Sequence, residues 1–169
     1  MEAAELRARQ APLKDRYKQD PGSAVTPVGA TADFSALDLG TVVQTWAGPV
    51  TAGPHPSTGG SGAESCSADM LLQALAGCVG VTLRSVATGM RLPIGSAQLT
   101  ARGMFDARGT LGVDPDTPVG VQDVVVEAVL ETEAPQERLD RLAELTHRYC
   151  VVGQSLLGGF VIRVSAKGS

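Results

Sequence analysis

The sequence predicts an α+β chain, with antiparallel β-sheets packed on helices. Three observations carry that prediction. Residues 70–83 form a nearly unbroken apolar run, in which only Gln73, Gly77, Gly80 and Thr82 are not apolar. Two stretches, residues 97–105 (AQLTARGMF) and 121–132 (VQDVVVEAVLET), alternate with a period of two. Leu139, Leu142, Leu145 and Tyr149 recur at helical spacing.

Each element follows from local chemistry. In residues 1–22, Pro12 removes a backbone donor, so a short helix is expected only near Leu13–Gln19, closed by Asp20–Gly22. This segment reads as an arm before a single domain spanning residues 23–169. Thr41–Trp46 (TVVQTW) has strand character, and a second strand is expected within Ala24–Phe34, with a turn at LDLG, Leu37–Gly40. Thr51–Ser65 is dominated by Gly, Pro and Ser and reads as a loop. It lacks the G-x-x-x-x-G-K-[ST] pattern of a phosphate loop.

A long helix then starts at Ser65 or Ser67, which can cap it, with Asp69 suited to the positive end of its dipole. Apolar on every side, it is expected to be buried on every side and to run to about Gly89. Gly77 and Gly80 each cost about 1 kcal/mol there, a cost that close approach of another backbone offsets. After the two alternating strands, Pro135–Tyr149 forms the amphipathic helix, with Glu137–Arg141 and Glu144–Arg148 as ion pairs on its wet side. One helical turn after Cys150 and a strand at Phe160–Ala166 complete the chain.

Composition narrows the function classes. The chain has 169 residues, 43% hydrophobic and 19% charged, the balance of a globular domain. A net charge of −4 offers no basic field, so nucleic acid is not an expected partner. The fully apolar runs are too short to span a bilayer, so no membrane partner is expected. MEAAELRARQ has no apolar signal region, so a cytoplasmic location with reduced thiols is expected. Three cysteines, Cys66, Cys78 and Cys150, are too few for a disulfide scaffold. By itself, Cys78 in an apolar helix is either a small packing residue or a nucleophile held away from water. His147 and Cys150 make an H-x-x-C pair, but two ligands do not make a metal site, so no metal and no cofactor are expected.

Two segments taken together resemble the OsmC/Ohr family. SADMLLQALAGCVGVTLRSVATGMRLPI, from Ser67, is similar to that family's central helix, with its P-E-E-L-L-x-A-A-L-A-G-C run and the L-P element beyond. HRYCVVGQSLLGGFVIRV, His147–Val164, is similar to its second cysteine segment, a helix ending in Y-C-P-V and a final strand. The resemblance implies an OsmC-like fold: β-sheets around long central helices in an intertwined homodimer. It also implies a thiol-dependent reductase of organic hydroperoxides. Cys78 then matches the peroxidatic thiol and Cys150 the resolving thiol, with an external dithiol as reductant.

The sequence departs from the family pattern at several positions. Ala68 stands where the family's glutamate belongs, with Asp69 beside it, and no arginine occurs between Tyr17 and Leu83. Val151 and Val152 replace the P-V that follows the second cysteine. Without a neighbouring cation, Cys78 is expected to be mainly protonated, and Cys150, at a helix C-terminus, to gain nothing from the dipole. Cys66 at the start of the long helix, Asp69, and Arg16 from the arm are therefore candidate auxiliaries. The alternative to an enzyme is a non-catalytic dimer of the same fold that binds a small apolar ligand at the subunit interface.

Overall fold

The computed structural model describes residues 1–34 and 39–168. Helix α1 spans Ala3–Gln19 and is followed by a 3-10 turn, Pro21–Ala24. Strands β1 (Thr31–Asp33), β2 (Thr41–Thr45), β3 (Gly48–Gly53) and β4 (Ser65–Cys66) come next. Helix α2 is Ser67–Gly89, and β5 is Ala97–Met104. Then come the short α3 (Ala107–Thr110) and β6 (Gln122–Leu130). Helices α4 (Gln136–Tyr149) and α5 (Val151–Gln154) lead into β7 (Val161–Ala166). The described residues fall into two compact units, one from Met1–Pro27, Leu75–Arg102 and Val124–Ser169, the other from Val28–Ala74 and Gly103–Asp123.

The α+β class is as the sequence predicts, and two pairings refine the expectation of antiparallel sheets. One sheet has the order β1-β2-β3-β4 and the other β5-β6-β7. Strands β1–β2 and β2–β3 are antiparallel, but β3–β4 is parallel, with Ala52 opposite Ser65. Strands β6 and β7 are also parallel, in register from Val125–Val161 to Leu130–Ala166. The reason is topological: β6 is followed by the helical crossover of α4 and α5, and a crossover returns the chain in the same direction.

The core of the first unit is one cluster. Leu83 and Ala87 of α2, Leu92, Ala128 and Leu130 of β6, Leu139 and Leu142 of α4, and Val164 of β7 are all buried in it. Each such leucine contributes about 1.5–3 kcal/mol by leaving water. Gln136 Nε2 donates to Val164 O at 3.1 Å, and Arg138 donates to Met90 O at 2.7 Å, so polar bonds fasten the N-terminal end of α4 to this core.

Several local expectations are corrected. Helix α1 runs straight through Pro12 and begins ten residues before Leu13, at Ala3. Proline deletes one N–H and costs about 3 kcal/mol, but the alanine-, arginine- and glutamine-rich residues around it are strong helix formers, and Glu5–Arg9 adds an ion pair of 2.7 Å. The strand expected within Ala24–Phe34 is Thr31–Asp33. The turn expected at Leu37–Gly40 lies partly outside the described residues. Strand β3 extends into the segment read as loop.

Along α4 the buried positions are Leu139, Leu142 and Thr146, while Tyr149 is exposed, because 3.6-residue spacing continues from 142 to 146 to Cys150. Arg141 pairs with Glu144 instead of Glu137. Helix α2 is not buried all round: Leu75, Val79, Leu83 and Ala87 are buried, but Val81 is 71% exposed. Among the described residues, a Cβ at Gly77 meets nothing within 4 Å, so none of them makes the close backbone approach that glycine invites. By length and mean hydropathy (1.5), α2 is a helix that could cross a membrane, a test the core helix of a soluble protein also passes.

Candidate functional site

Cys78 sits in the middle of α2 and Cys150 at the joint between α4 and α5, both within the first unit. The backbone explains how they meet. Helix α4 ends when Cys150 leaves helical geometry (φ −76°, ψ 106°), and the same residue then caps α5, its sulfur accepting the Gly153 N–H at 3.3 Å. This break frees the N–H groups of Val151 and Val152 from the α4 ladder, and both favour the Cys78 thiolate. The Cys150 thiol and the Thr82 hydroxyl favour it too. Thr82 lies four residues after Cys78 and so occupies the next turn of the same helix face.

The two thiols are driven in opposite directions. Burial disfavours the Cys78 thiolate, but the donors from Val152, Cys150, Thr82 and Val151 outweigh it and lower this thiol below its ordinary value. Burial pushes Cys150 up; its bond to Cys78 and the Cys78 charge push it further, and the N–H groups of Gly153 and Val152 only partly oppose this. Of the two thiols, Cys78 is the one shifted toward the thiolate and Cys150 the one shifted toward the thiol. The expectation for Cys78 counted only side-chain cations; neutral backbone donors also favour a thiolate, by the same hydrogen-bond chemistry.

A pH profile reads the asymmetry directly. Alkylation by iodoacetamide tracks the thiolate fraction, which rises with pH around each thiol's own titration. The Cys78 adduct, followed by peptide mass, is expected to reach half its limiting rate at lower pH than an ordinary thiol. The Cys150 adduct is expected at higher pH. Coincident profiles contradict the asymmetry.

Cys66 ends β4 and Asp69 lies in the first turn of α2, both in the second unit. Cys66 lines a pocket of about 300 Å³ with His55 and Phe105, whose rings meet edge to face at 5.5 Å. Arg16 stacks on Tyr17 at 5.1 Å and donates to its hydroxyl. His147 stacks on Phe160 at 4.7 Å, and among the described residues no group of three or more potential ligands is placed to hold a metal ion. The residues missed in the sequence are Thr82, signalled only by its i+4 spacing from Cys78, and the backbone of Val151 and Val152, which side-chain chemistry cannot signal.

The family model described as OsmC-like protein matches residues 60–165. An OsmC-like protein of unknown function from Vibrio cholerae superposes with a TM-score of 0.69 at 15% identity, covering 83% of this chain and 100% of its own. An organic hydroperoxide resistance protein from Elizabethkingia anophelis, with thiocyanate bound, gives 0.67 at 15%, covering 86% and 99%. An organic hydroperoxide resistance protein from Legionella pneumophila, also described as a predicted redox protein, gives 0.64 at 18%, covering 85% and 98%. No curated protein matches the chain.

Proposed function

Because the chain belongs to the OsmC-like family, we propose that it is a thiol-dependent reductase of organic hydroperoxides, working in the cytoplasm as part of an oxidative-stress response. What supports this reading is the pairing of two thiols within one unit: Cys78 is held below its ordinary pKa, with Cys150 among the groups that lower it, and Cys150 is held above its own. The Cys78 thiolate attacks the distal oxygen of the hydroperoxide and breaks the O–O bond. Sulfur is oxidised to a sulfenic acid, and the alkoxide leaves as the alcohol after taking a proton. The Cys150 thiol then condenses with the sulfenic acid, releasing water and forming the Cys78–Cys150 disulfide. An external dithiol reduces that disulfide by exchange and is itself oxidised.

We infer that the working form is a homodimer. Two features support it. Gly77 and Val81 leave an open, apolar stretch on α2, with nothing within 4 Å of a Gly77 Cβ. In the second unit Ala52 is the one buried hydrophobic among the described residues, while Trp46 is fully exposed and Phe34 is 83% exposed. Surfaces this apolar mark sites of association, and a second copy of the chain covers them.

The test is a single addition of an organic hydroperoxide to fully reduced protein. The expected products are one alcohol per chain and an intramolecular Cys78–Cys150 disulfide seen by peptide mass, with continuous turnover once a dithiol is supplied. Neither disulfide nor peroxide consumption would remove the enzymatic reading and leave the small-ligand alternative.

A further inference from the structure

The first unit contains a second concave site, with chemistry unlike that of the thiols. A cleft of about 840 Å³ lies between the start of α1 and the end of α2 with the turn that follows it. Three arginines line it: Arg7 from α1, Arg84 from α2, and Arg91 from the turn. Thr88, whose hydroxyl donates to Arg84 O at 2.8 Å, also lines it, and Glu2 is the one carboxylate. Among the described residues, none of the three arginines has a carboxylate partner in an ion pair. Arg84 is held by its bond to Ile94 O at 3.0 Å, and Arg91 adopts a left-handed backbone (φ 53°).

A chain of net charge −4 gathers three unneutralised guanidiniums in one concavity here. Arginine stays charged at every physiological pH, so their mutual repulsion is not relieved by losing protons. It is relieved by an anion that accepts from several forks together, the geometry for which guanidinium is suited. Helix α1 reinforces the same sign. It is 17 residues long, starts at the cleft, and has no side-chain cap, so its first-turn N–H groups are open to an acceptor. The volume falls in the range of small-molecule sites. The buried Ala87 and Leu92 and the half-buried Ile94 give the cleft an apolar wall beside the charges.

We propose that this cleft binds a multiply charged, phosphate-bearing compound, and that the anion bridges α1 to α2 through Arg7, Arg84 and Arg91. The phosphate belongs either to a soluble metabolite or to a lipid headgroup. The site is separate from the thiol reaction, so its failure leaves that reading untouched.

The probe is inorganic pyrophosphate, titrated into the full-length protein by calorimetry at constant ionic strength. Saturable binding at one site per chain is expected. Arg7→Gln combined with Arg91→Gln is expected to weaken it about tenfold or more, since each change removes a charge-assisted donor. Glu2→Gln is expected to tighten it. Arg9→Gln, on α1 outside the cleft, is expected to leave it unchanged. Single Arg84→Gln and Arg91→Gln variants repeat the measurement if the double variant is unfolded by circular dichroism. Co-sedimentation with vesicles of phosphatidylcholine and phosphatidic acid, lost in the same variants, assigns the phosphate to a lipid; pyrophosphate binding alone assigns it to a soluble compound. Heats that never saturate together with no vesicle binding, or equal affinity in wild type and arginine variants, overturn the proposal.

Discussion

In Cys78→Ser, dithiol-dependent consumption of an organic hydroperoxide is expected to fall to the rate of buffer alone, whereas Cys150→Ser reduces one equivalent per chain and then stops. The expected asymmetry rests on the roles proposed for the two thiols. Cys78 is lowered by the donors of Val152, Cys150, Thr82 and Val151, which suits it to the attacking role. Cys150 is raised, which suits it to condensing afterwards. In Cys150→Ser the sulfenic acid has no resolving thiol, and dimedone is expected to trap it on Cys78, adding one label per chain. Thr82→Val removes one donor from the thiolate. A hydrogen bond of about 0.5–1.5 kcal/mol corresponds to a rate two- to tenfold lower. Cys66→Ser, in the second unit, is expected to keep the wild-type rate and so separates a role for the β4 cysteine from a role for the pair. Full activity in Cys78→Ser would reassign the nucleophile.

The parts of this site legible in the sequence are those written in side-chain pattern. The apolar run fixes α2 and places Cys78 in it; the alternations fix β5 and β6; the leucine spacing fixes α4. The electrostatics of the thiols were not legible, because the donors belong to the backbone of Val151 and Val152 and depend on a chain reversal at Cys150. Sequence periodicity registers where a helix stops, not where the next one aims its N–H groups. The same limit explains the parallel β6–β7 pairing, since period-two alternation is identical in either strand direction. Helix α1 is the opposite case: one proline breaks a single backbone bond, and the many Ala, Leu, Arg, Lys and Gln residues around it outweigh that cost.

Gly153→Ala is the substitution expected to damage both the fold and the chemistry, although alanine adds one methyl. A Cβ at Gly153 lies 2.1 Å from Phe160 Cε1 and 2.7 Å from Cζ, well inside contact distance. The ring cannot swing aside freely. Phe160 is buried and stacked on His147 at 4.7 Å, at the entrance to β7. Either Phe160 moves, opening the packing between α4 and β7, or α5 moves and carries away the Gly153 N–H that Cys150 accepts at 3.3 Å. Overpacking of this kind costs about 1–3 kcal/mol, which for a chain of this size lowers Tm on the order of 5 °C. A shift of α5 also withdraws the Val151 and Val152 donors from Cys78, so the alkylation midpoint of Cys78 is expected to move to higher pH. Phe160→Leu in the same background removes the obstructing ring atoms. If sterics are the cause, the double variant recovers part of the lost Tm, with a coupling of about 0.5 kcal/mol or more, and the Cys78 midpoint moves back toward wild type. Independent, additive losses in the two variants would place the sensitivity of α5 in something other than this contact.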